Sequence, residues 1–272
     1  MLHINFMSDS LATLFNKSKN LSSKWVKYFD VYEENFSKFK GKNITFVEIG
    51  VSNGGSLEIW KKYFGPNSKI IGIDINPECK KFEKDNVEIF IGNQSDQKFW
   101  RKFFNKVGMV DIILDDGGHT NLDQIISTVE CVKNINDGGI LVVEDTHTSY
   151  NRKYNSSKKY NFINFSKKII DDINSNIKID LNINQKFSLK KYIYSTQFYE
   201  SIVIFNIDRK KSFINEQCIN HGINHKIEDL TWDGNNEVLK KYKDKLDIRF
   251  VKNFLKIIKK NIINNKLKKF FS

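Results

Sequence analysis

Between positions 44 and 146 short apolar runs alternate with amphipathic stretches. Ile44 to Ile49, Lys69 to Asp74, Val87 to Ile91, Asp111 to Asp116 and Gly139 to Glu144 read as five buried strands. Leu57, Ile59, Trp60 and Tyr63 mark a helix after the first, and Leu122 to Asn134 one after the fourth. Strands of this kind separated by helices predict an α/β fold, a Rossmann-like doubly wound and mostly parallel sheet with right-handed crossovers. Ahead of it, Trp25, Tyr28, Phe29, Tyr32 and Phe36 recur at helical spacing within Ser22 to Lys40 and predict an N-terminal helix. Behind it come a polar loop at Tyr150 to Tyr160, a helix from Phe162 to Ile173, and a strand pair within Lys190 to Ile207 that closes the sheet. The last 25 residues carry Phe254, Leu255, Ile258, Ile262 and Ile263 as the apolar stripe of a basic helical tail. The expected organisation is a helical lead-in at 1–40, a core domain at 41–210 and a helical extension at 211–272.

Composition narrows the class without naming a function. The length of 272 residues suits one large domain, and no apolar run reaches the roughly 20 residues that cross a bilayer. No export signal is expected from the first residues, so the expected compartment is the cytoplasm, including the inner face of its membrane. Three widely separated cysteines, Cys79, Cys131 and Cys218, suit reduced thiols rather than a disulfide framework. The net charge of +12 is concentrated, since Ile248 to Ser272 holds eight Lys and Arg and no carboxylate. That distribution argues against a nucleic-acid partner for the core. It leaves open a peripheral membrane contact through 250–272, packing of the tail on its own domain, and self-association.

In an open parallel sheet ligands bind beyond the carboxyl ends of the strands, and here each strand ends in glycine or a polar residue. Gly50, Gly54 and Gly55 follow the first strand and let the backbone approach a ligand. The spacing is not Gly-x-Gly-x-x-Gly, and Glu48 would repel a pyrophosphate but attract an amino group, which favours S-adenosylmethionine (SAM) over NAD. The segment from Glu48 through Ser52 to Ser56 is therefore expected to hold the methyl donor, with Asp74 on the ribose hydroxyls. Asp115, Asp116, Glu144 and Asp145 should converge from neighbouring strands, and four carboxylates together call for a positive ion. Oxygen ligands without cysteine point to Mg2+ or Mn2+ on Asp116, Glu144 and Asp145, leaving Asp115 to face the cofactor. The alternative is that these acids cap the following helices. His119, two glycines beyond Asp116, is expected as general base, with support of a metal ligand as its rival role.

These residues resemble the metal-dependent sugar O-methyltransferases of the macrocin and mycinamicin type, related to proteins labelled cephalosporin hydroxylase. The resemblance runs from about Trp25 to Tyr150. It rests on Glu48-Ile49-Gly50-Val51 with Gly54-Gly55-Ser56, on Ile73-Asp74-Ile75, on Gly92-Asn93-Gln94-Ser95-Asp96, on Asp115-Asp116-Gly117-Gly118-His119, and on Glu144-Asp145-Thr146 with Thr148-Ser149-Tyr150. It implies a class I methyltransferase fold, Gln94 and Ser95 beside the adenine, magnesium on Asp116, Glu144 and Asp145, and His119 as base. Two positions depart from the family's usual pattern, Gly118 for serine and Asn93 for aspartate. The expected reaction is methyl transfer from SAM to a hydroxyl of a nucleotide sugar, a capsular or other surface saccharide, or a glycosylated metabolite. A nicotinamide-dependent oxidoreductase and an RNA-binding methyltransferase are the rivals.

Overall fold

The computed structural model describes residues 10–84, 86–154, 159–175, 187–213, 216–223 and 225. Contacts divide the chain into Met1–Gln217 and Cys218–Ser272. The first unit holds every element named below. In the second, the described residues 218–223 and 225 form neither helix nor strand. The expected basic helix at the C-terminus lies outside the described residues. Among those that are described, no helix is long and apolar enough to cross a membrane.

The elements follow the order α1 (Leu11–Asn16), α2 (Tyr28–Phe36), β1 (Thr45–Ile49), α3 (Gly55–Phe64), β2 (Lys69–Asp74), β3 (Val87–Ile91), α4 (Gln97–Val107), β4 (Val110–Asp115), α5 (Asn121–Cys131), β5 (Ile135–Val143), α6 (Phe162–Asn174), β6 (Ile193–Tyr199) and β7 (Ile202–Ile207). The sheet order is β3-β2-β1-β4-β5-β7-β6, parallel from β3 to β5, with β7 antiparallel to both β5 and β6. The five expected strands, the helix after Asn161 and the closing strand pair all form. Helix α4 is an element that the sequence reading passed over. Its signals are local: Asp96 accepts from the Lys98 N–H as N-cap, Gly108 ends it at φ 80°, and Trp100, Phe103 and Phe104 are buried on one side.

The lead-in helix is shorter than its periodicity suggests. It begins at Tyr28, and Trp25 lies outside it with 62% of its surface exposed. The reason is a tertiary contact. Residues 18–27 run without helix across the start of α3, so close that a Cβ on Gly55 would meet the Leu21 and Asn20 carbonyl oxygens at 2.5 and 2.6 Å. From there Lys24 turns inward instead of continuing a helical face.

Strand alternation sorts side chains to two cores. Phe46, Leu114 and Val142 face α1, α2 and α3, where Tyr32, Phe36, Trp60 and Phe64 stack into one aromatic cluster. Ile49, Ile113 and Val143 face α4, α5 and α6. Glu48 pairs in register with Leu114, and Ile49 with Asp115, so Glu48 shares the aromatic face while Asp115 takes the opposite one. Asp116 and Glu144, each one residue past its strand, return to the side of Glu48.

The approach at Gly55 is testable, because φ there is unremarkable and only space forbids a side chain. Gly55→Ala should lower stability by roughly 1–3 kcal/mol in urea unfolding and speed proteolytic cleavage within residues 18–26 of the folded protein. Unchanged protection of that segment would contradict the contact.

Candidate functional site

A cleft of about 310 Å³ opens at the carboxyl ends of β1, β2 and β4. Four of the residues expected to hold the donor line it: Gly50, Ser52, Asp74 and Gln94. Its shape is set by the backbone. Gly50 has φ 96°, and a Cβ there would meet the Asp116 carbonyl oxygen at 2.1 Å, so glycine is required by the neighbouring loop. Asp74 ties the turn together, accepting the Val51 and Ser52 N–H groups on Oδ2 at 2.9 and 3.0 Å and the Asn76 N–H on Oδ1 at 2.8 Å. Burial alone would raise the Asp74 carboxyl, but the N–H groups of Asn76, Ser52 and Val51 outweigh it and hold the group below its usual value.

The other expected donor residues support the cleft from behind. Gly54 packs against Phe82, since a Cβ there would meet that ring at 2.6 Å. Glu48 is fully buried and accepts from Ser56 Oγ at 2.7 Å and from Trp60 Nε1 at 3.2 Å. Burial pushes its carboxyl up to about 7, against the pull of Lys24. Ser95 donates from N and Oγ to Asn93 Oδ1 at 2.9 and 2.7 Å in the turn before α4. Asp115, expected to face the cofactor, is turned the other way by strand alternation. It is buried against Ser127 and Gln94, with Gln94 Nε2 at 3.0 Å, and burial raises its carboxyl. Gln94 in turn accepts the Gly118 N–H at 2.8 Å, so Asp115 fixes the side chain that lines the cleft.

At the end of the cleft bounded by Asp116, that carboxylate meets His119 and Asp145. His119 Nε2 lies 3.7 Å from Asp116 Oδ1 and 3.5 Å from Asp145 Oδ2. One ligand atom from each of the three lies within 4.8 Å of the others. Among the described residues the buried Nδ1 of His119 has no hydrogen-bond partner. His119 and Asp145 hold φ values of 56° and 52°, a left-handed backbone that non-glycine residues rarely adopt. Two hard carboxylate oxygens, from Asp116 and Asp145, suit Mg2+ or Mn2+, and the imidazole stands beside them.

Glu144 does not complete that group in this arrangement. It is buried, with one oxygen accepting from the Tyr32 hydroxyl and the other 2.9 Å from Lys24 Nζ. The same ammonium donates to Asp116 Oδ2 at 2.6 Å and lies 3.9 Å from Glu48. Burial opposes the Lys24 charge, yet Glu144, Asp116 and Glu48 together raise its pKa well above that of an ordinary lysine. The Glu144 carboxyl is raised by burial, with Lys24 as the largest opposing influence. Asp145 Oδ1 accepts from the Tyr28 hydroxyl at 2.6 Å and from Trp25 Nε1 at 3.1 Å. The positive ion that the acid cluster demands thus comes in part from the chain itself. Lys24, Trp25, Tyr28 and Tyr32 are the site residues that sequence reading missed. Lys24 lies 92 residues from Asp116 and 120 from Glu144, so no local spacing reports the pairing.

No family model matches the chain. Over 138 residues it is 35% identical to 8-demethyl-8-alpha-L-rhamnosyl tetracenomycin-C 2'-O-methyltransferase of Streptomyces olivaceus, covering 47% of this chain and 36% of that protein. Over 126 residues it is 31% identical to mycinamicin VI 2''-O-methyltransferase of Micromonospora griseorubida, covering 44% and 31%. The matched stretch therefore spans about a third of the length of these relatives. Among solved structures, the MycE methyltransferase of the mycinamycin biosynthetic pathway in complex with Mg and SAH superimposes with a TM-score of 0.68 at 23% identity, covering 74% of this chain and 55% of that one. Its complex with Mg, SAH and mycinamycin VI gives 0.69 at 21% identity, covering 81% and 58%. The fold of the chain is the class I methyltransferase fold, and its homologues are sugar O-methyltransferases of the macrocin and mycinamicin type.

Proposed function

We propose that the chain is a SAM-dependent, divalent-metal-dependent O-methyltransferase that acts on a hydroxyl of a sugar. The observation that carries this reading is that one carboxylate, Asp116, belongs both to the cleft lined by Gly50, Ser52, Asp74 and Gln94 and to the trio with His119 and Asp145. A donor pocket and a cation-and-base pocket thereby share a wall. The antiparallel β7 between β5 and β6 also departs from the strand order 3-2-1-4-5-6 of dinucleotide-binding sheets, which supports a methyltransferase over a nicotinamide enzyme.

When bound, SAM supplies an electrophilic methyl group and the divalent cation supplies Lewis acidity to the acceptor hydroxyl. Ile49, Gly50, Ile73 and Gln94 would enclose the nucleoside, with the loop held by Asp74. Asp116 and Asp145 would hold the cation, with Glu144 as the further ligand that the resemblance implies. His119 would take the hydroxyl proton at Nε2, which lies 3.7 Å from Asp116 Oδ1 and 3.5 Å from Asp145 Oδ2 and so beside the acids that would hold the cation. The proton leaves as the oxygen–methyl bond forms and the sulfur–methyl bond breaks, so the products are the methyl ether, S-adenosylhomocysteine and a proton. Most of the acceleration would come from positioning donor and acceptor across the Asp116 wall. One relative methylates a rhamnosyl tetracenomycin-C and another mycinamicin VI, so a glycosylated metabolite is the first acceptor class we propose.

Labelled SAM should pass its methyl group to a rhamnosylated or otherwise deoxysugar-bearing polyketide, with EDTA abolishing transfer and added Mg2+ restoring it. Full transfer in EDTA would remove the metal from this reading, and methylation of RNA instead of any sugar would replace the acceptor class. His119→Gln should cut turnover by about 10²–10⁴-fold while calorimetry shows S-adenosylhomocysteine binding unchanged. Retained turnover in that variant would assign the proton to another group.

A further inference from the structure

We infer that Lys24 is a resident competitor of the metal: its ammonium occupies the carboxylates a divalent cation would need and so sets the affinity of the site for that cation. The inference rests on the metal-dependent reading above and adds a residue that neither the acidic motifs nor their resemblance assigns.

The distribution of oxygen atoms carries the argument. Asp116 Oδ2 and Glu144 Oε2 accept from Lys24 Nζ at 2.6 and 2.9 Å. The other Glu144 oxygen accepts from the Tyr32 hydroxyl. Asp145 Oδ1 is occupied by Tyr28 and Trp25. What remains turned toward His119 Nε2 is Asp116 Oδ1 and Asp145 Oδ2. The residues around α2 thus contribute a donor to each of the three carboxylates expected as ligands. The lysine side chain is only 4% exposed, so water screens its charge little.

A divalent ion joining Asp116 and Asp145 meets that positive charge across a single carboxylate. Recruiting Glu144 as well requires Lys24 to give up its contact there. In either case the ammonium subtracts from the field that attracts the ion. Its compensating role is equally plain, because three buried or half-buried acids without it would repel one another in the metal-free protein. Lys24 therefore stabilises the empty site and weakens the loaded one, through Coulomb forces acting in opposite directions.

The test uses the full-length chain, free of cofactor and acceptor, with Mn2+ as the probe and isothermal calorimetry together with the electron paramagnetic resonance of free Mn2+ as readouts. Lys24→Met removes the charge and keeps the approximate volume. It should bind Mn2+ at least about tenfold tighter than wild type, whereas Lys24→Arg, which keeps the charge, should bind no tighter. The melting midpoint of the methionine variant should fall without metal and rise with Mn2+ by more than that of wild type. If the methionine variant does not fold, Lys24→Gln carries the same comparison with hydrogen-bond donors retained and charge removed. Equal or weaker Mn2+ binding by the neutral variants would overturn the inference while leaving the metal reading intact. Absence of Mn2+ binding by wild type and all variants would remove the metal reading itself, and the role given to Lys24 with it.

Discussion

The parallel sheet delivers like charges to one edge, and the rest of this site follows from how that charge is met. Glu48, Asp116 and Glu144 emerge on the same side of β1, β4 and β5 because strand parity puts them there. Side chains cannot be turned away without reversing the parity of the hydrophobic residues behind them, Phe46, Leu114 and Val142, which are fully buried. The acids are therefore fixed by the core. A cation has to come to them, and in this chain Lys24 arrives from outside the sheet.

Bringing Lys24 to that place explains several local features that look unrelated. The segment before Tyr28 crosses the start of α3, which is possible because Gly55 has no side chain. Trp25 is left exposed yet tethered by its indole N–H to Asp145, with its ring edge-on to His147 at 6.0 Å. Tyr28 and Tyr32, one turn apart on α2, then place hydroxyls on Asp145 and Glu144. A single amphipathic helix thus serves two purposes, burying aromatic rings against β1 and α3 while presenting hydroxyl donors to the acids at the sheet edge.

Much of the fold was legible because it depends on short-range pattern. Apolar runs ending in glycine or acid marked all five parallel strands, and the glycines and Asp74 after β1 and β2 marked the cleft. Asp115 illustrates a signal that was present but went unread. It pairs with Ile49 in register, so counting alternation along β4 separates it from Asp116 and sends it to the face of α5, where Ser127 waits. Helix α4 was also signposted, by Asp96 and Gly108 at its ends. Lys24 is different in kind. Its partners lie about a hundred residues away, and one lysine among 44 basic residues carries no mark of burial. Trp25 misled for a related reason: it fits the helical spacing of its neighbours, but the tertiary contact at Gly55 ends the helix first.

The two halves of the site are consequently specified by different means. The cleft half is built largely from backbone: Gly50 fits under the Asp116 carbonyl, Asp74 gathers three N–H groups, and Gln94 is locked by Asp115 and Gly118. All of these partners sit on the turns at the ends of the parallel strands, so the sheet itself brings them together. The acid half is built from side chains held by donors from around α2, and those contacts persist only while that helix is docked. Substitutions along α2 can therefore alter how the acids are presented without disturbing the cleft. The cleft is thereby fixed by the sheet and its turns, and the acids are presented by a helix that is not part of the sheet at all.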